Sequence, residues 1–293
     1  MGLRRNDWGI LILTHGRPNT IRTLGALKRN GYTGPIKFVI DDEDKKADEY
    51  RANYGDDVIM FSKEEVAKTF DESDNFSDRR TITYARNAAY DIAKELGWKY
   101  FIQMDDDYTS FVWKFRPDLT WKQEQIRNLD AVLESLVDFM DSTPAHSIAL
   151  SQGGDFIGGP ASTNAKSINI SIGFKRKTMN SFVCAVDRRV NFVSRMNEDV
   201  STYTWRGSTG HLFFSTNFAM LTQSETQGTP GGITELYQKY GTYVKSFYTV
   251  MRMPSSVRIS AMVSVHPRIH HSIKWKNTVP AILGERWRKR SGV

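Results

Sequence analysis

The chain has 293 residues, 40% of them hydrophobic and 25% charged, which suits one large domain with a sizeable core. No apolar run approaches the roughly 20 residues of a membrane-spanning helix, and MGLRRNDWGILIL is too briefly hydrophobic for a signal peptide, so a protein that stays in the cytoplasm without membrane contact is expected. The single cysteine, Cys184, excludes an internal disulfide and a cysteine-built zinc site, leaving oxygen and histidine ligands for any metal, while the net charge of +7 permits a polyanionic partner.

In chain order, the first half alternates strand and helix signals. WGILILT is a short apolar run ending at the polar loop HGRPNT. TIRTLGALKRNGY then spaces Ile21, Leu24 and Leu27 as a helix does and stops at Gly31. IKFVID is a second strand, running into the helix formers of DEDKKADEYRANYG. VIMFS follows, then DESDNFSDRR, read as a solvated acidic stretch, then the helix TYARNAAYDIAKELG, starting near Thr81 or Thr83 with Gly97 just past its end. The strand KYFIQMD closes the series. Strands separated by helices imply βαβ crossovers, hence an α/β fold with a mostly parallel sheet. In the second half SIALSQGGDFIGGP, SINISIGFKRKTMNSFVCAV and GHLFFSTNFAMLTQ predict antiparallel strands, and SETQGTPGGITELYQKYG a loop leading into a helix. The glycine pairs at 153–154, 158–159 and 231–232 follow no strand-to-helix pattern and read as turns.

Ligands of such sheets collect beyond the carboxyl ends of the strands. Thr14 to Arg17, Asp41 with Asp42, and Asp105 to Asp107 therefore converge on one edge. Adjacent carboxylates repel, and they suit a strand-end turn or a bound cation. Delivered by a buried strand to the expected crevice, the triplet suits a hard divalent cation that clamps a diphosphate. Arg86 lies in a helix, where it either faces solvent or neutralises phosphate oxygens. Glu198 and Asp199 suit a helix N-terminus or general-base work. Basic residues cluster in FKRKTMN, DRRVNFVSR and GERWRKRSGV, interleaved with aromatics as nucleic-acid contacts are.

LILTHGRPNT, FVIDDED, TYARNAAYDIAKELGWKYFIQMDDD and MNEDVSTYTWRGSTG occur in the order used by GT-A glycosyltransferases, which the chain resembles. The aspartate triplet is similar to their D-x-D motif, ARN to a segment facing the sugar-nucleotide diphosphate, and NED to the motif carrying the catalytic base. With HPRIHHSIKWKN, the whole resembles the phage and kinetoplastid group of TET-associated DNA glycosyltransferases. That resemblance implies a GT-A fold in one continuous domain, 1–293, with a nucleotide-sugar lobe at 1–110 and an acceptor lobe at 111–293. It implies a UDP-sugar donor held by Thr14, Arg17, Asp41, Asp42, Arg86, Asp105 and Asp106. It implies Mn²⁺ or Mg²⁺ on Asp105, Asp107 and a late histidine, His270 or His271. Asp199 becomes the base and Glu198 the acceptor-positioning acid of an inverting transfer. The implied acceptor is 5-hydroxymethylcytosine or 5-hydroxymethyluracil in double-stranded DNA, in a host cytoplasm if phage-encoded. Three other readings fit these residues: a glycosyltransferase for a polysaccharide or protein, a noncatalytic DNA-binding module, and a nucleotidyltransferase that releases pyrophosphate. Which sugar is donated and the oligomeric state are not encoded in any of these motifs.

Overall fold

The computed structural model describes residues 3–115, 121–152, 174–175, 177–224, 241, 243–262 and 268–278. The glycine pairs, His266, residues 225–240 of the expected loop and helix, and the basic tail from 279 lie outside these residues.

The first half is built as its alternation predicts: β1 (Trp8–Leu13), α1 (Arg22–Arg29), β2 (Ile36–Asp41), α2 (Ala47–Tyr54), β3 (Val58–Phe61), α3 (Lys63–Ala67), α4 (Thr83–Glu95) and β4 (Tyr100–Asp105). β1 shows why the sheet is buried on both faces. Its Trp8, Ile10 and Ile12 enter one hydrophobic cluster, with Phe38, Ile102 and Leu133, while Leu11 and Leu13 enter a second, with Val39, Ala89 and Phe101. A strand with two dry faces needs an unbroken apolar run, and WGILIL supplies it. Gly31 ends α1 with φ of 81°, and a Cβ there would stand 2.3 Å from the Arg127 carbonyl oxygen. Only glycine meets both conditions.

Beyond β4 come β5 (Tyr108–Phe115), β6 (Trp121–Gln125), α5 (Leu129–Ser142), β7 (Ala145–Ser151), β8 (Phe174–Lys175), β9 (Phe182–Ala185), α6 (Glu198–Ser208), β10 (Leu212–Gln223), α7 (Val244–Arg252), β11 (Val257–Met262) and β12 (Arg268–Ile273). Helix α5 rests on local signals, since Asn128 accepts the Ala131 N–H as a cap and Leu129, Val132, Leu133, Leu136, Val137 and Met140 are all buried. The antiparallel strands join the parallel ones in one sheet, ordered β3-β2-β1-β4-β9-β7-β10-β5-β6 with β8 beside β10. The expectation of an α/β fold with a parallel first half holds. One pairing departs from an antiparallel second half, because β10 runs parallel to β7. β11 and β12 form a separate two-stranded ribbon. No helix of the described residues is long and apolar enough to cross a membrane.

Candidate active site

β1, β2 and β4 end side by side, with Leu13 in register with both Val39 and Asp105. Thr14 therefore emerges between two acidic strand ends. Its hydroxyl donates to Asp106 Oδ2 at 2.7 Å and meets Tyr50 OH at 2.8 Å. The Arg17 N–H donates to the same tyrosine oxygen at 2.8 Å, and its guanidinium pairs with Asp106 Oδ1 at 3.1 Å. Asp106 thus has both oxygens engaged and ties the 14–17 loop to the triplet.

Asp41 is equally committed, with His15 Nδ1 at 2.7 Å from one oxygen and Lys63 Nζ at 2.9 Å from the other. Burial pushes the Asp41 carboxyl up, but the hydrogen bonds from His15 and Lys63 outweigh it and hold the pKa below the ordinary value. The same bond to Asp41 raises His15. The Gly16 N–H donates to Asp44 Oδ2 at 2.7 Å. Asp42 is exposed, and its Oδ1 accepts the Lys63 N–H at 3.0 Å, so it caps α3. His15 falls within the Thr14 to Arg17 loop expected at this edge, with no role assigned to it from sequence. Asp44, Tyr50 and Lys63 escaped the sequence reading, since a single lysine or tyrosine in a polar helix carries no such signal.

The triplet is held by its backbone from α1. Thr23 Oγ1 donates to the Asp105 carbonyl at 2.5 Å and accepts the Tyr108 N–H at 2.9 Å, while the Thr23 N–H donates to the Asp106 carbonyl at 3.2 Å. Burial raises the Asp105 carboxyl to about 7, with Asp107, Glu198 and Asp106 adding to it and Arg86 opposing. Asp107 is raised for the same first reason, then by Asp106, and it makes no ion pair among the described residues. Two desolvated, mutually repelling carboxylates are a donor set that a hard divalent cation relieves. No group of three or more His, Cys, Asp or Glu side chains converges as a metal cluster among the described residues.

Arg86 is turned into the crevice. It is 2% exposed, lies over the Phe182 ring at 4.7 Å, and spans from Asp105 Oδ1 at 3.0 Å to Glu198 Oε1 at 3.0 Å. Its Nη1 is buried without a hydrogen-bond partner. Burial works against its charge, and Asp105 and Glu198 outweigh that, so it stays protonated. One helical arginine thus joins the strand-end aspartates to the acid pair of α6. Glu198 and Asp199 open α6, preceded by Asn197 in the left-handed region at φ 57°. Burial first and the Glu198 charge second raise Asp199 to about 6, although the Val200 N–H donates to its Oδ1 at 2.7 Å.

The late histidines sit beside the start of α6. His271 Nδ1 lies 3.4 Å from Asn197 Nδ2, beside the start of α6, and the rings of His270 and His271 are 4.0 Å apart. Burial, then the charges of His270, Lys245 and Lys177, lower His271 to about 3, leaving it neutral. Neither histidine joins Asp105 and Asp107 in a described metal cluster.

Two charge readings are corrected. DESDNFSDRR is not simply solvated, because Glu72 and Asp74 pair with the fully buried Arg195 at 2.7 and 2.9 Å. Arg188 and Arg195 of DRRVNFVSR are spent inside the protein, Arg188 donating to the carbonyls of Met140, Thr143 and Ala145 and Arg195 sealed in the acidic loop, while Arg189 pairs with Asp91 at 2.7 Å nearer the surface. A cation already satisfied and buried does not grip a phosphate. Of the other two basic clusters, Arg176 and the tail lie outside the described residues.

The family model described as TET-Associated Glycosyltransferase matches residues 8–232, from the start of β1 past the α6 acid pair. The chain belongs to this family. It is a glycosyltransferase, and the crevice just described is the candidate seat of its chemistry. No curated protein matches the chain. Solved structures similar to it include glucosyl-3-phosphoglycerate synthase from Mycobacterium tuberculosis in complex with Mg²⁺ and uridine diphosphate, 8% identical with a TM-score of 0.46, covering 92% of this chain and 88% of that one. S. aureus TarS 1–349 is 10% identical with a TM-score of 0.39, covering 83% of this chain and 65% of that one.

Proposed function

We propose that this glycosyltransferase moves a sugar from a UDP-sugar to the hydroxyl of 5-hydroxymethylcytosine or 5-hydroxymethyluracil in duplex DNA, with inversion at the anomeric carbon. The observation that carries the site is the buried Arg86 bridge between Asp105 and Glu198, which sets the strand-end aspartates beside the α6 acids. The acceptor is carried by membership of a family whose description ties it to TET enzymes, the oxidants of methylpyrimidines.

In this reading the segment 1–110 is the donor lobe and 111–293 the acceptor lobe of a GT-A domain. Thr14, Arg17 and Asp106 line the donor pocket as one network. Asp41 holds and orients the half-exposed His15, which faces the nucleoside, and Asp42 sits at the rim. Asp105 and Asp107 would hold Mn²⁺ or Mg²⁺, whose charge would neutralise the diphosphate. Arg86 keeps Asp105 and Glu198 apart by a fixed span and balances their charge. Asp199, ionised above its pKa of about 6, takes the proton of the acceptor hydroxyl, and Glu198 positions that hydroxyl. The hydroxyl oxygen bonds to the anomeric carbon as the bond from that carbon to the diphosphate oxygen breaks, and UDP leaves with the electron pair.

The test is UDP release with Mn²⁺ and UDP-glucose, comparing 5-hydroxymethylcytosine duplex with plain cytosine duplex, and Asp107→Ala as control. Release that needs the modified base and is lost in the variant supports donor, acceptor and site together. No release over a panel of UDP-sugars and with hydroxymethyluracil DNA rejects the acceptor.

A further inference from the structure

If the acceptor is duplex DNA, a surface must hold its phosphates, and the arginines of DRRVNFVSR are already consumed. The stretch 241–278 supplies a replacement. It contains six Lys or Arg residues (Lys245, Arg252, Arg258, Arg268, Lys274 and Lys276) and no Asp or Glu, where the chain's overall acid content would place about four. The family match ends at residue 232, so this surface lies beyond it.

Its architecture is a two-stranded antiparallel ribbon on a helix. Register pairs Val257 with Ile273, Arg258 with Ser272, Ile259 with His271 and Ser260 with His270. Strand alternation therefore divides the ribbon into two faces. One face carries Val257, Ile259, His271 and Ile273; His271 meets Asn197 there, and Val257 is 1% exposed. The opposite face carries Arg258, Ser260, His270 and Ser272, all hydrogen-bonding side chains. Arg258 and Ser260 are exposed, as are Lys274 and Lys276 in the turn that follows. Among the described residues none of Arg258, Lys274 and Lys276 forms an ion pair. Between the two lysines Trp275 stacks on Tyr203 of α6 with centroids 5.7 Å apart and an interplanar angle of 11°. The turn is thus fixed to the helix that begins with Glu198 and Asp199.

We propose that the polar face of the β11–β12 ribbon and the 274–276 turn form the docking surface for the phosphate backbone of the duplex acceptor. The inference rests on the DNA-glycosylating reading of the same site. Free cations with no acid among them match a polyanion by counterion release, and a two-stranded ribbon has the width that a major groove admits. That groove is where a pyrimidine 5-substituent projects. The partner is duplex DNA rather than a membrane, because the exposed Arg258, Ser260, Lys274 and Lys276 are donors suited to phosphate oxygens, and the one exposed large apolar side chain of the turn, Trp275, is already stacked on Tyr203.

The experiment measures anisotropy of a fluorescein-labelled 24-base-pair duplex at stepped salt, using the full chain. It compares wild type, the reversal Arg258→Glu/Lys274→Glu/Lys276→Glu, and the equally charged reversal Lys28→Glu/Lys68→Glu/Lys94→Glu on remote exposed positions. The ribbon reversal should weaken binding more than tenfold and reduce the log–log salt slope by about 3, one for each lost phosphate contact. The remote reversal should change binding less than threefold, and both variants should melt as wild type does. Equal losses in the two variants, wild-type binding by the ribbon variant, or binding by wild type to phosphatidylserine vesicles but not to duplex would overturn the inference. Transfer separates the two readings. Wild-type transfer to modified DNA with an unchanged KM in the ribbon variant sinks the ribbon alone. A wild type that neither binds nor glycosylates duplex DNA sinks the acceptor reading with it.

Discussion

The turn at 105–107 and the loop at 71–78 are both acid-rich, with three and four carboxylates, and the fold treats them oppositely. In the loop every carboxylate has a cationic partner: Asp71 with Arg252, Glu72 and Asp74 with Arg195, Asp78 with Arg80. The Tyr248 hydroxyl adds a bond to Asp74 at 2.5 Å, and the Tyr84 hydroxyl donates to Glu72. Asp71 and Asp78 are accordingly held below the ordinary carboxylate pKa, by the Ser73 N–H in the first case and by Arg80 in the second. In the turn and the acids beside it, five carboxylates share Arg86 and Arg17, and Asp105, Asp107 and Asp199 all titrate high because burial is not compensated. Matched acid builds structure. Unmatched buried acid stores a demand for a cation and a proton, which is what a metal-dependent transfer site uses.

The largest test of this contrast is catalytic. Asp107→Asn and Asp199→Asn should each lower kcat by about 10³-fold without lowering the melting temperature, since each removes a repelling charge. A variant that keeps wild-type turnover places the chemistry elsewhere. The loop should respond in the opposite sense. Asp74→Ala strips a partner from the fully buried Arg195 and should cost about 3 kcal/mol in denaturant unfolding, whereas an unchanged midpoint would show the loop to be dispensable.

The third test uses the sign of the Asp105 shift. A carboxyl raised to about 7 favours the native state when protonated, so its contribution is complete below the unfolded value of about 3.8 and is lost as pH rises through 7. Wild type without metal should therefore fall behind Asp105→Asn by a growing margin in melting temperature between pH 5 and pH 8. For the same reason Mn²⁺ binding at pH 7 should release protons, seen as a calorimetric heat that changes with buffer ionisation enthalpy, and this dependence should vanish by pH 9. A gap that shrinks with pH reverses the assignment.

The smallest effect is expected at Asp42, which caps α3 at the rim of the donor pocket. Asp42→Ala should cost about 1 kcal/mol of stability and raise the KM for the UDP-sugar only modestly. A tenfold rise in KM with unchanged stability would move Asp42 from cap to nucleotide ligand.

The parallel half was readable because its strands are short apolar runs, unbroken in β1, and two of its helices end at a glycine, Gly31 and Gly97, both in the left-handed region. These are local signals. The crevice residues at the strand ends followed from topology, and Thr14, Asp41 and Asp105 do converge there. Local signals say nothing of long-range partners, so a basic run such as DRRVNFVSR and an acidic run such as DESDNFSD looked solvent-facing when Arg195 in fact closes one onto the other. The place of the late histidines was not legible for the same reason, since it is set by how the β11–β12 ribbon packs on α7 and α6.

From the sequence alone came the α/β class, the order of the first-half elements and the set of acids presented at one sheet edge, because hydrophobic period and turn chemistry are properties of neighbouring residues. Tertiary structure alone decided which charges are neutralised, that Arg86 reaches Glu198 across 112 positions, that β10 runs parallel to β7, and that Arg258, Lys274 and Lys276 lie exposed together on the ribbon and its turn. Those outcomes depend on desolvation and on distances between groups remote in the chain, and both exist only once the chain has folded.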